Sequence, residues 1–476
     1  MFELDTGESM IDFLSRQVIY LSLRLLFPLA EWLRTSILKV YRVFPFKGIL
    51  DYFYFRSRTL QYLFAYQLTP TEKSNEKFEL TVHHLARIAA LTIEEVEVHT
   101  DDGFFLSLHH VRRRSERGSS SSSSSSGDNN CNKAQVLIVH ALMQSSDTFL
   151  LGGSTSLVSA LLDAGYDVWL GNCRGNKYSE KHERYGMKNK SYWNFSIDDI
   201  VTYDLPAMVM TIRERTSSLS TSPSEGRSSL VLMGFSQGSA VIAAGLAAKR
   251  ISTHDIAAFI ALAPPIKVNG LSHNFLANLV QARRQFLLGT TSCLSSTLLW
   301  RDFLSPKAFS ALNVVAMRHL FGWRNNNIST DRKEQFFQHI FSNTSAKVIY
   351  HWFQIIAHNN GIFSEYNSKD KSKRRNTRWT SLHHWLSSWS MDTNRFDELV
   401  RRENENAYDV SAITCPIAVF AGSNDHLIDP MYIQNNNTSC ILTHIEEGYE
   451  HLDMIWADSA HKKIFPKIVE VVDALV

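Results

Sequence analysis

Gly234-Phe235-Ser236-Gln237-Gly238 sets a serine between two glycines, where an apolar run, Leu230–Met233, gives way to a small-residue helical pattern, Ala240–Lys249. A G-x-S-x-G between strand and helix is the pattern of a nucleophile elbow, a turn sharp enough to leave the hydroxyl exposed. Strand and helix come together there and the serine backbone is strained, so the flanks must be small. Gly234 and Gly238 meet that need, and Ser239 and Ala240 extend the small patch. A serine nucleophile requires a base, and the base an orienting carboxylate. Behind such an elbow the acid and then the base follow in the chain, at the C-terminal ends of later strands. Asp425 stands just past the strand pattern Pro416–Ala421, in Gly422-Ser423-Asn424-Asp425. His451 stands in the loop after Cys440–Ile445 and before a helical pattern over Ile464–Leu475. Asp429 is a second candidate acid and His426 a second candidate base, although His426 follows the wrong strand. The chemistry such a set predicts is acyl transfer through an acyl-enzyme, which needs neither a metal nor an organic cofactor. The tetrahedral oxyanion requires N–H donors. Gln237, directly after the nucleophile, offers one, and Leu142, in the loop after the strand Gln135–His140, offers the second.

The elements that must position these groups alternate. Strand patterns at Gln135–His140, Asp167–Leu170, Leu230–Met233 and Ala257–Ala263 are separated by helical patterns at about 155–164, 197–212 and 240–249. Before them, Ile93–His99 and Phe104–Val111 read as a hairpin joined by Thr100-Asp101-Asp102-Gly103. The alternation predicts an α/β fold, a mostly parallel central sheet with helices on both faces. It stops between about 266 and 406, where aromatic residues sit in helical patterns, and resumes at 416. Four parts result: an apolar N-terminal segment, 1–75; a first part of the core, 76–265, carrying a serine-rich loop at 112–133; a helical cap, 266–406; and the rest of the core, 407–476.

A chain of 476 residues with a formal charge of only +2 carries no nucleic-acid footprint, and bland electrostatics suit an uncharged substrate. Five scattered cysteines, Cys131, Cys173, Cys293, Cys415 and Cys440, form neither C-x-x-C pairs nor a disulfide framework. The acidic start (Glu3, Asp5, Glu8) is not that of a secretory signal, so the catalytic part is expected to face the cytosol. Residues 11–55 are rich in aliphatic and aromatic side chains, but Arg24, Pro28 and Glu31 interrupt the best stretch. Each central charge costs roughly 3 kcal/mol in a membrane and each Leu or Ile returns about 0.5, so a simple span is near break-even. A re-entrant hairpin or an interfacial helix on a membrane or lipid droplet fits better; a buried helical extension is the alternative. The unbroken serines 119–126 read as a solvated surface insertion.

Several blocks together resemble the acid lipase family of neutral-lipid hydrolases. They are Thr100–Phe104, His140–Phe149 (HALMQSSDTF), Gly165–Tyr178 (GYDVWLGNCRGNKY), Tyr192–Pro206, the elbow, Trp300–Pro306, His351–Tyr366, Tyr408–Val410, Asp425–Pro430 (DHLIDP) and Tyr449–Ala457 (YEHLDMIWA). The resemblance implies an α/β-hydrolase fold, with Ser236, Asp425 and His451 as the triad, Leu142 and Gln237 as oxyanion donors, and a cap over an acyl pocket. Ala141 stands where the family commonly has Gly, and Phe235 where it has His. The apolar N-terminus and the serine tract look more like the fungal sterol esterases associated with membranes and lipid droplets. That implies a neutral lipid ester substrate, steryl ester first and triacylglycerol second, and a place on the endoplasmic reticulum or lipid-droplet surface. An acyltransferase, or a non-catalytic lipid-binding protein, are the other readings.

Overall fold

The computed structural model describes residues 81–114, 133–217, 230–253, 256–269, 301, 304–357, 363–365 and 407–476. The N-terminal segment 1–75, the serine run and much of the insertion, including 270–300 and 366–406, lie outside the described residues.

Chain order begins with helix α1 (Val82–Ile88), capped by the Thr81 hydroxyl, and the hairpin β1 (Leu91–His99) and β2 (Phe104–Arg113). Gly103, at φ +95°, closes the hairpin turn with its N–H on the Thr100 carbonyl at 2.9 Å. Then come β3 (Gln135–Val139), α2 (Leu157–Asp163), β4 (Asp167–Gly171) and a two-residue β5 (Lys181–His182). Helix α3 (Leu205–Ser217) continues from a helical start at Ile197 through a wide π turn, Ile200–Asp204. After it run β6 (Leu230–Phe235), α4 (Gln237–Ala247) and β7 (Ile256–Leu262). The insertion supplies α5 (Pro306–Phe321), α6 (Thr330–Phe336) and α7 (Ala346–Ala357). The core resumes with β8 (Ile417–Gly422) and β9 (Cys440–Glu446) and ends on α8 (Phe465–Leu475).

The sheet order is β1-β2-β4-β3-β6-β7-β8-β9, with β5 on β2. Pairings from β4 through β9 are parallel, and β2 runs against its neighbours. Every residue of β3, β6 and β8 is buried, the mark of a parallel sheet covered on both faces. Alternate residues feed two apolar layers. Val136, Ile138, Val231, Met233 and Phe420 enter one; Leu137, Val139, Leu232, Phe259 and Val419 enter the other. The chain goes from β3 outward to β4 and then crosses to β6 on the other side of β3. That reversal opens a crevice at the strands' C-terminal ends, where ligands of open α/β sheets bind. The register Val139↔Gly234 sets the loop after β3 beside the elbow after β6.

The bridges Val268↔Ile428 and Ser364↔Ala407 hold the described ends of the insertion against the core. Among the described residues no helix is long and apolar enough to cross a membrane, and no cluster of His, Cys, Asp or Glu could hold a metal ion. Cys173, Cys415 and Cys440 are free thiols.

Candidate active site

Ser236 joins β6 directly to α4 at φ +52°, ψ −119°, a conformation that L residues avoid. Two contacts show why its flanks lack side chains. A Cβ on Gly234 would meet the Ser239 nitrogen at 2.4 Å, and one on Gly238 would meet the Val139 carbonyl oxygen at 2.1 Å. The Ser236 N–H donates to the Leu262 carbonyl on β7 at 2.8 Å, which ties the strained turn to the sheet.

Asp425 and His451 arrive from the ends of β8 and β9. Gly422 lets these ends touch, since a Cβ there would lie 2.1 Å from the Tyr449 carbonyl oxygen. The Asn424 N–H donates to that same carbonyl at 2.9 Å. His451 Nδ1 lies 2.6 Å from Asp425 Oδ2, and His451 Nε2 lies 2.8 Å from Ser236 Oγ. An ionised carboxylate only accepts, so Nδ1 carries the proton and Nε2 is free to accept the serine hydroxyl. The other carboxylate oxygen of Asp425 accepts the Leu427 N–H at 3.3 Å. The rival groups lie differently. Asp429 accepts the Met431 N–H at 3.0 Å in a local turn, and His426 is exposed.

Gln237 is the first residue of α4, so its N–H is one of the helix-start donors that have no intrahelical acceptor. Leu142 lies inside a turn closed by the Gln144 N–H on the Ala141 carbonyl, at 3.2 Å. The left-handed residue of this turn is Met143, at φ +59°, and Ala141 is not among the positive-φ residues. The alanine in place of the family's glycine therefore adds no backbone strain at that position.

The turn is held by groups to which the sequence reading assigned no role. His140 Nε2 accepts from the Cys173 N–H and the Asn176 amide, both at 3.1 Å, so the proton sits on Nδ1 and is donated to the Ala141 carbonyl at 2.8 Å. Burial pushes the His140 pKa down to about 4, which keeps this imidazole neutral. The cap reaches both sides of the site, with the Ser342 N–H on the Met143 carbonyl of this turn at 2.6 Å and Trp352 Nε1 on Gln237 Oε1 at the elbow at 2.7 Å. Ala346 and Ile349 of α7 pack on Leu142 and Met143. A buried Asp147 receives His339 of the cap at 2.8 Å, the Tyr178 hydroxyl at 2.7 Å and the Lys177 ammonium. Burial alone would raise its pKa, but the His339 hydrogen bond and the Lys177 charge win and hold it at about 2. Sequence blocks flagged His140 and Asp147 as part of HALMQSSDTF; their side-chain partners beyond that block, 30 to 192 residues away, carried no local signal.

Fold and geometry together define a class in which a serine on a strand-to-helix elbow meets an imidazole and a carboxylate at one rim of a parallel sheet. Residues 135–458 match the model of the α/β-hydrolase fold family, and residues 82–153 match that of a partial α/β-hydrolase lipase region. The chain belongs to the α/β-hydrolase fold family, in its lipase branch, and is by class a carboxylic ester hydrolase. It is 32% identical over 394 residues to a probable lipase of Schizosaccharomyces pombe, covering 82% of this chain and 76% of that one. It is 27% identical over 416 residues to the gastric triacylglycerol lipase of Rattus norvegicus, covering 83% and 92% of the two chains. A solved monoglyceride lipase of Saccharomyces cerevisiae is 14% identical with a TM-score of 0.45, over 81% of this chain and 96% of that one, a superposition too loose to weigh.

Proposed function

We propose that the protein hydrolyses neutral lipid esters through an acyl-enzyme on Ser236, with His451 as general base and acid and Asp425 as its orienting carboxylate. The observation that carries this reading is the continuous line of hydrogen bonds from Asp425 through His451 to Ser236. The Ser236 Oγ attacks the ester carbonyl as its proton passes to His451 Nε2. The oxyanion formed is met by the Leu142 and Gln237 N–H groups. His451 then protonates the departing alcohol oxygen, which leaves the acyl group on Ser236. Water repeats the sequence, giving its proton to His451 and releasing the acid. Ser236→Ala should lower kcat by up to about a million-fold and abolish labelling by a fluorophosphonate probe. Activity near that of the wild type would remove the mechanism.

Steryl ester is the leading substrate in this reading, on the strength of the resemblance to membrane-associated sterol esterases. Triacylglycerol is the second, favoured by the likeness to gastric triacylglycerol lipases. Hydrolysis of emulsified cholesteryl oleate against triolein by the purified full chain separates them. Residues 11–55 would hold the enzyme at a membrane or lipid-droplet surface with its catalytic part toward the cytosol, as their apolar and aromatic content supports. Deleting the first sixty residues should move the protein to the soluble fraction; persistence on membranes would refute the attachment.

A further inference from the structure

We propose that Trp323, carried by the cap, is a positioning residue for the His451 imidazole. The indole lies flat on the imidazole, ring centroids 4.8 Å apart and planes 5° from parallel. Phe321 stacks on the indole in turn, at 4.3 Å and 19°, while Phe235 lies 5.5 Å from the imidazole at a tilt. An imidazole makes its two hydrogen bonds in its own plane. Asp425 and Ser236 therefore take its edges, and aromatic rings take what remains. The indole N–H is buried and has no acceptor among the described residues, so stacking, not hydrogen bonding, fixes the indole.

The segment carrying Trp323 is fastened to the segment carrying His451. Gly322, left-handed at φ +78°, ends α5 and turns the chain toward the site. The next two N–H groups, of Arg324 and Asn325, donate to the Glu450 carboxylate at 2.8 and 2.6 Å. The Asn327 amide donates to the Gly448 carbonyl at 2.9 Å and to Asp453 at 2.8 Å. Glu450 thus anchors the cap one residue before His451. During acyl transfer the imidazole becomes a cation, and a desolvated indole face favours a cation above it.

The inference rests on His451 being the catalytic base. Its test compares Trp323→Leu and Trp323→Phe on p-nitrophenyl acetate and on p-nitrophenyl palmitate. Trp323→Leu should lower kcat about tenfold on both esters with KM nearly unchanged, the scale of a lost cation–π face, and Trp323→Phe should recover most of it. A loss confined to the palmitate or to KM would make Trp323 a wall of the acyl pocket and overturn the proposal, as would an unchanged kcat. Should Trp323→Leu fail to fold, Phe321→Leu removes only the ring behind the indole. A several-fold fall in kcat on both esters then supports the proposal, and an unchanged kcat overturns it. His451→Ala separates the two levels. If it stays active the triad itself falls; if it is inactive while Trp323→Leu is fully active, only the role of Trp323 falls.

Discussion

Adding one methyl group at Gly238 tests how closely the two proposed oxyanion donors, Leu142 and Gln237, are spaced. The new Cβ would stand 2.1 Å from the Val139 carbonyl oxygen, 2.7 Å from the Val139 carbonyl carbon and 2.9 Å from the His140 oxygen, where ordinary contact begins at 3.4 Å. All three atoms are backbone, so no side chain can swing aside. Helix α4 and the end of β3 must separate by roughly 1 Å. These two elements carry Gln237 and the turn of Leu142, so the separation falls directly on the distance between their N–H groups. A displacement of that size costs on the order of a hundredfold in rate, and losing one donor entirely costs 10²–10³-fold. Gly238→Ala should therefore lower kcat about a hundredfold on a soluble short-chain ester, with KM little affected, while overpacking removes about 1–3 kcal/mol of stability. Gly245→Ala is the matched control. Its Cβ would lie 2.7 Å from the end of the flexible Leu205 side chain, so it can be absorbed with kcat nearly intact. Steady-state kinetics with circular dichroism to confirm folding decides the matter. A folded Gly238→Ala variant with wild-type kcat would refute the argument.

Two further perturbations address the histidines. Asp425→Asn would present an amide N–H to His451 Nδ1, force the ring proton onto Nε2 and take away the acceptor for the serine hydroxyl; kcat should fall about 10⁴-fold at neutral pH, and a loss below tenfold in initial rates would refute the assigned tautomer. His140 is neutral in the fold, its pKa depressed from 6.5 to about 4, so on acidification the unfolded chain binds the proton first and stability is lost as pH falls from 6.5 toward 4. The stability advantage of the wild type over His140→Asn should accordingly shrink by about 2 kcal/mol between pH 7.5 and 5, at 1.36 kcal/mol per unit; urea unfolding at the two pH values measures it, and a constant difference would contradict the buried neutral imidazole.

The parts of this molecule legible in the sequence are those whose physics is local. Continuous apolar runs mark β3, β6, β7 and β8 because a strand covered on both faces needs nothing else, and glycines mark the elbow because backbone approaches backbone there. Ser236, Asp425 and His451 could be placed in order because each follows a strand end. Boundaries shifted where the turn itself was at stake: α4 starts at Gln237, directly after Ser236, and not at Ala240. The π turn at Ile200–Asp204 was invisible, since one extra residue per turn barely disturbs a 3.6-residue pattern. Helix α1 and the two-residue β5 were missed, being too short for any period to register. The stacking of Trp323 on His451 and the grip of Glu450 on the cap backbone span more than 120 residues of chain. An aromatic in a helical insertion reads the same whether it lines a core or stacks on the His451 ring.

Asp147 has a consequence for how this enzyme can be altered. One carboxylate with no access to water is shared by a lysine and a tyrosine of the core and by a histidine of the insertion. A chimera that imports another enzyme's insertion without a matching imidazole would leave a sealed anion one partner short. Transplanting substrate preference by exchanging that module should therefore require carrying His339 across with it, so the two halves of the molecule are inherited as a unit.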